Sequence, residues 1–278
     1  MKKKFQKFLP RIVGAQINSL HLLNKRKAAN KAYQIFCTPR RGRVQERQKD
    51  FLEKAKDQIV NAEGLDLQTY SWPGNGKTIL LIHGWESNTN RWQSLVDRLQ
   101  AQNYNIVAFD APAHGYSQGS ILHIPLYSKC LQVMINHFAP HYLIGHSIGG
   151  MTTIYNQYCN ANQEIEKLVV LGPPSELTQI MGDYQQILRL KPQVMQSLEA
   201  LFNERLGYYF TDFSIAKFSK EINKKGLLIH DKFDKIAPIT ASEAIAQNWQ
   251  DAILFKTEGA GHSLYHDKID RKIIEFLN

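Results

Sequence analysis

At 278 residues, with 43% apolar and 10% aromatic side chains, the chain is long enough to bury a sizeable core and too apolar to be mostly disordered. Cys37, Cys130 and Cys159 lie in unrelated contexts, which argues against a disulfide framework or a zinc site and suits a reducing compartment. The net charge of +9 is not spread as a nucleic-acid surface would spread it: residues 1–50 hold 14 Lys or Arg against 2 Asp or Glu, and the remainder holds 20 against 23.

The basic segment is expected to be a helical arm covering residues 1–60. Ile12, Val13, Ile17, Leu20 and Leu23 recur near helical spacing behind Pro10, which suits a first turn. Ala28, Ala29, Ala32, Tyr33 and Phe36 mark a second helix, which the breakers Pro39 and Gly42 end. Such an arm has two uses, as a helix pair docked on the domain or as a peripheral contact with anionic membrane through residues 1–36. No stretch reaches the roughly 18 apolar residues of a membrane span. Arg11 and Gln16 interrupt the apolar run that a signal peptide needs, so an uncleaved, cytoplasmic chain is expected.

Residues 61–278 are expected to form the main domain. Strand candidates begin at Thr78 ("TILLIHG"), Asn105 ("NIVAFDAPAHG"), His141 ("HYLIGHS"), Glu166 ("EKLVVLGPP"), Lys224 ("KKGLLIHD") and Asp251 ("DAILFKT"). Helical stretches separate the earlier ones, with Trp92, Leu95, Val96 and Leu99 on the first and Leu126, Cys130, Val133, Met134 and Phe138 on the second. Unbroken apolar strands alternating with helices predict an α/β fold with a mostly parallel sheet covered on both faces. The alternation lapses over about 173–225, where Leu188, Leu190, Val194, Leu198, Leu201 and Phe202 give one apolar helical face. A helical insertion after a strand's C-terminal end is expected to act as a cap. "KIDRKIIEFLN" closes the chain as a helix.

The stretch "YLIGHSIGG", from Tyr142 to Gly150, sets a serine between glycines where an apolar strand turns into a helix. A serine hydroxyl attacks only with an adjacent base and from an unshielded position, and a sharp strand-to-helix turn supplies the second requirement. Here the sequence resembles the α/β-hydrolase fold family from roughly Asp66 to the C-terminus. Gly145-His146-Ser147-Ile148-Gly149 looks like the family's nucleophile elbow. "LLIHGW" resembles its strand ending in His-Gly, and "FDAPAHGYS" its Asp-x-Pro-Gly-His-Gly-x-Ser segment, with Ala113 in place of a glycine.

The resemblance implies a catalytic set of Ser147, Asp234 and His262. Chain order places the acid and then the histidine after the serine. His262 in "EGAGHSLYHD" matches the family's late histidine, with His266 as the alternative; Asp234, followed by Pro238, matches the acid's loop, with Asp231 as a turn carboxylate. The backbone N–H groups of Ile148 and, by resemblance, Trp85 are the expected oxyanion donors. His230, inside an apolar run, reads as buried structure, and His83 and His146 as support.

"GNGKT", from Gly74 to Thr78, lacks the first glycine of a phosphate loop, having Ser71 there, and runs into a strand; it reads as a turn. No metal-ligand spacing or dinucleotide fingerprint implies a cofactor. The expected activity is a serine hydrolase acting on a small or lipid-like carboxylic ester or thioester. A non-catalytic binding module and an amide or peptide hydrolase are the alternatives.

Overall fold

The computed structural model describes residues 2–278, with side chains from Leu9 onward. In chain order the helices are α1 (Lys2–Leu23), α2 (Lys25–Cys37), α3 (Lys49–Leu52), α4 (Gln93–Ala101), α5 (Ile124–Phe138) and α6 (Ile148–Asn160). They continue with α7 (Leu177–Leu188), α8 (Pro192–Leu206), α9 (Ile215–Phe218), α10 (Ile239–Asn248) and α11 (Asp267–Leu277). The strands are β1 (Lys56–Ala62), β2 (Leu65–Trp72), β3 (Thr78–Ile82), β4 (Asn105–Phe109), β5 (Tyr142–His146), β6 (Lys167–Leu171), β7 (Lys225–Asp231) and β8 (Ala252–Thr257).

All eight strands form one sheet in the order β1-β2-β4-β3-β5-β6-β7-β8, parallel from β4 to β8 and antiparallel at β1 and β2. Side chains alternate between faces along each strand. Ile79, Leu81, Ile106, Ile144, Val169, Leu227 and Ile229 join a core with Leu95, Val96 and Leu99 of α4 and Ile269, Ile273 and Leu277 of α11. Their neighbours Leu80, Leu143, Val170 and Leu228 are equally buried on the opposite face, where α6 comes so close that a Cβ on Gly150 would sit 2.7 Å from Val170 Cγ1. Each fully buried Leu, Ile or Val is worth about 1.5–3 kcal/mol, so apolar strands of this kind commit the chain to a two-sided sheet.

The chain divides into two compact units: residues 39–175 with 215–278, which contain the sheet, and residues 1–38 with 176–214, which are helical. The arm therefore ends at Thr38 and not at residue 60. Residues 39–60 belong with the sheet because Phe51 stacks on Trp72 at 5.1 Å, Leu52 is buried, and β1 pairs with β2 along its whole length. The β1–β2 hairpin turns through Glu63 and Gly64, both at positive φ (54° and 74°), the sense that matches strand twist. The hairpin escapes the sequence reading because β1 is mostly exposed and carries no apolar alternation.

In the helical unit α1 and α2 pack on α7 and α8. The six apolar positions of the insertion are all buried there. Tyr33 meets Phe202 edge-on at 5.3 Å, Tyr184 donates its hydroxyl proton to the Ala32 carbonyl at 2.8 Å, and Arg26 pairs with Glu204. A Cβ on Gly14 would sit 1.6 Å from the Leu188 carbonyl oxygen, so the helices touch through bare backbone. The apolar positions of α1 are divided: Ile17 is fully buried, while Ile12 is 44% and Leu23 87% exposed. A bridge between Glu176 and Ser214 closes the neck of the insertion. Among the described residues no helix is long and apolar enough to cross a membrane.

Candidate active site

β5 ends at His146, and α6 begins at Ile148, which leaves Ser147 alone to make the turn. Its backbone adopts φ 53° and ψ −122°, a strained conformation for a residue with a Cβ, and it is held by donation of its N–H to the Leu171 carbonyl at 2.8 Å. The flanking glycines make this possible. A Cβ on Gly149 would lie 2.2 Å from the Ile82 carbonyl oxygen, and one on Gly145 would lie 2.5 Å from that of Gly149.

Facing the serine is His262, in the loop between β8 and α11. The Ser147 hydroxyl donates to His262 Nε2 at 3.0 Å, and His262 Nδ1–H donates to Asp234 Oδ2 at 2.7 Å. The carboxylate only accepts, which assigns the tautomer and leaves Nε2 free to take a proton. Asp234 is buried at the turn after β7, and its Oδ1 accepts from the Ile236 and Ala237 N–H groups at 2.7 and 3.0 Å. Burial alone would raise this carboxyl, but the His230 imidazole 3.4 Å away and hydrogen bonds from His262, Ile236 and Ala237 outweigh it and hold the acid well below the usual carboxylate range.

The two alternatives have other partners. Asp231 accepts from Phe233 N–H at 3.0 Å, Thr257 Oγ1 at 3.0 Å and Ala260 N–H at 2.8 Å. It ties the end of β7 to the loop that carries His262. His266 is exposed and caps α11, accepting from Lys268 N–H at 3.1 Å.

The loop after β3 passes over the elbow at Gly84, where a Cβ would sit 3.1 Å from Ser147 Cβ and 2.9 Å from His146 Nδ1. Only glycine lets the backbone there run against Ser147, and Trp85 follows it. Ile148 is the first residue of α6, so its N–H lies among the donors that a helix leaves without an internal partner.

Sequence reasoning assigned His114 and Arg91 no part in this loop cluster. His114 Nε2 accepts from Glu86 N–H at 3.0 Å while its Nδ1–H donates to the Pro112 carbonyl at 2.9 Å. His83 does the same between Ala111 N–H and the Gly84 carbonyl, at 2.9 and 2.7 Å. Burial lowers both imidazoles to about 4, so both stay neutral and brace the loop as paired donor and acceptor. Arg91 donates to the Ser263 carbonyl at 3.0 Å, beside His262. His146 Nε2–H donates to the carbonyl of His262 itself at 2.8 Å. The "APAHG" segment held the signal for His114; a lone arginine at a helix start held none for Arg91. Ala113, at the family's glycine position, stands at φ 66°.

The sheet order, the elbow and the serine–histidine–carboxylate chain define an α/β-hydrolase fold. A profile of the family described as "serine aminopeptidase, S33" matches residues 74–217, and the chain belongs to that family. Pimeloyl-[acyl-carrier protein] methyl ester esterase of Vibrio vulnificus is 31% identical over 101 residues, 36% of this chain and 38% of the esterase. This chain thus matches well under half the length of that relative. Monoacylglycerol lipase ABHD6 of Homo sapiens is 20% identical over 261 residues, covering 74% of this chain and 76% of the lipase. Among solved structures, an esterase from Exiguobacterium antarcticum is similar in fold, with a TM-score of 0.63 at 16% identity over 80% of this chain and 99% of the esterase.

Proposed function

We propose that this protein is a serine hydrolase that cleaves a carboxylic ester or thioester of a small or lipid-like substrate through an acyl-enzyme. The observation that carries the reading is the unbroken hydrogen-bond chain from Ser147 Oγ through His262 to Asp234, at 3.0 and 2.7 Å, on a serine held at positive φ. In the proposed reaction Ser147 Oγ attacks the carbonyl carbon as its proton passes to His262 Nε2, and the Asp234 carboxylate stabilises the imidazolium. The negative oxygen of the tetrahedral intermediate is met by the Ile148 and Trp85 N–H groups, each such donor being worth about 3–4 kcal/mol. The imidazolium returns its proton to the leaving oxygen or sulfur. Water, activated by the same histidine, then releases the acid and restores the serine.

The esterase and lipase relatives favour an ester substrate. The family's description as an aminopeptidase keeps amide cleavage as the second reading. The test is reaction with a fluorescent fluorophosphonate, beside Ser147→Ala and His262→Ala, followed by esters of graded acyl length and an aminoacyl anilide. Labelling lost in both variants, with esters turned over at least about a thousandfold faster than in Ser147→Ala, is expected. A folded wild type that does not label sinks the reading in favour of a binding module.

We also propose that residues 1–36 make peripheral contact with anionic membrane. Residues 1–37 carry nine Lys or Arg and no Asp or Glu. On α1, Leu9, Ile12 and Leu23 project from the unit, and Ile12, Ala15, Ser19, Leu20 and Leu23 line a shallow groove beside Lys31. Cations around exposed aliphatic side chains suit a headgroup boundary. Deleting the segment would remove Ile17, Ala28 and Tyr33 from the unit's core, so Ile12→Asn/Leu23→Asn is the sharper probe. Sedimentation with phosphatidylglycerol vesicles is expected to weaken roughly tenfold in this variant and to fall in high salt. Equal binding to neutral vesicles, or none to either, would count against the proposal.

A further inference from the structure

The penultimate residue of β7 is His230, whose side chain is fully buried, four residues before Asp234. Both of its ring nitrogens are engaged. Nε2 is 2.8 Å from the Ala237 carbonyl oxygen and Nδ1 is 2.7 Å from Ser242 Oγ. A carbonyl can only accept, so Nε2 carries the proton, and Nδ1 takes the hydroxyl proton of Ser242, which lies on α10. The same Nε2 stands 3.4 Å from Asp234 Oδ2. That oxygen is the one that receives His262 Nδ1–H.

Both carboxylate oxygens of Asp234 have partners. Its Oδ1 is taken by two main-chain N–H groups of its own turn, and its Oδ2 lies between two imidazole edges, His262 outward and His230 inward. The inward edge is anchored to elements the turn does not contain: β7 through the backbone of His230, and α10 through Ser242. An aliphatic residue would fill the same space against the sheet. It would present no N–H edge to the carboxylate, and would leave the Ala237 carbonyl and the Ser242 hydroxyl without this partner. A buried imidazole has a desolvation penalty that packing alone does not require.

We propose that His230 is a positioning residue for the acid: it ties the 234–238 turn to β7 and α10 and holds Asp234 Oδ2 in the direction His262 Nδ1 needs. It touches neither substrate nor reacting atoms and acts only through Asp234. The inference rests on the hydrolase reading for its effect on rate, and on geometry alone for its effect on the His262–Asp234 hydrogen bond.

The test compares the full-length wild type with His230→Leu, His230→Gln and the milder Ser242→Ala, each checked for folding by its melting curve. The amide nitrogen of glutamine can occupy the place of Nε2. His230→Leu is expected to lower kcat roughly 10- to 100-fold with KM within about threefold, Ser242→Ala to lower it by less, and His230→Gln to recover most of the loss. The second readout needs no substrate. The His262 Nδ1 proton, followed by NMR, is expected downfield and slowly exchanging in wild type and His230→Gln, and lost to exchange in His230→Leu. Should His230→Leu not fold, Ser242→Ala carries both readouts. Wild-type kcat in folded His230→Leu, a loss that glutamine does not restore, or an unchanged Nδ1 proton overturns the proposal. A wild type inert to every ester whose Nδ1 proton still vanishes in His230→Leu supports it while the hydrolase reading fails.

Discussion

The sheet unit and the helical unit carry their charge differently. The first places charges in near balance, 22 Lys or Arg against 20 Asp or Glu, and holds Ser147 at a positive φ of 53°. The second holds 12 Lys or Arg against 5 Asp or Glu and leaves large aliphatic side chains such as Leu23 in solvent. A reacting centre needs atoms fixed within tenths of an ångström, which only a two-sided core with main-chain hydrogen bonds supplies.

The largest expected effect comes from adding one methyl group at a packed glycine, set beside the same change at an open one. Gly149→Ala would drive a Cβ to 2.2 Å from the Ile82 carbonyl oxygen, and a stability loss of about 3 kcal/mol or more is expected in denaturant unfolding. Gly182→Ala, in α7, meets no atom within 4 Å, and a gain of about 0.5–1 kcal/mol is expected from helix propensity. Equal effects at the two sites would refute the close backbone approach at Gly149.

A smaller effect sharpens the comparison through pH. Burial holds His83 and His114 at about 4 in the folded sheet unit, against an ordinary value of 6.5. Between those values the unfolded chain binds protons that the folded chain refuses, so stability is full above about pH 7 and falls as pH drops from about 6.5 toward 4. The loss is about 2 kcal/mol for each histidine at pH 5. The helical unit holds one histidine, His21, bonded to Ser197 Oγ at 2.9 Å. Melting curves from pH 7.5 to 4.5 are expected to shift downward, and to shift less in His114→Gln, whose amide can keep both loop contacts without titrating. A flat profile would mean that these imidazoles are not neutral braces.

The centre of the sheet was legible because its strands are apolar runs that no exposed element could carry: 79–82, 143–144 and 168–170 are buried without exception. Ser147, His262 and Asp234 could be singled out for a related reason. A nucleophile turn needs glycine on both sides, and chain order leaves few histidines and carboxylates after it. Their meeting at 3.0 and 2.7 Å was not legible, since 115 and 28 residues separate the partners. The β1–β2 hairpin escaped notice because an exposed edge strand has no apolar period to read. Spacing shows α1 to be helical but not which stripe faces inward: Gly14 lies against Leu188 of α7 and Ile17 is buried, while Ile12 and Leu23 stay outside. Helical spacing cannot tell which of two apolar stripes meets protein.

By itself the sequence determined which segments must be buried in a parallel sheet, where a serine could stand clear of its neighbours, and that the positive charge belongs to one end of the chain. Those are local properties, set by side-chain chemistry and by periods of two or about four residues. Only the tertiary structure decided that the basic arm and the insertion share one core, that His83 and His114 brace the loop beside the serine, and that two imidazoles, His230 and His262, both reach Asp234. These depend on distances between residues far apart in the chain, which are fixed by the mutual packing of whole elements and leave no periodic trace in any one of them.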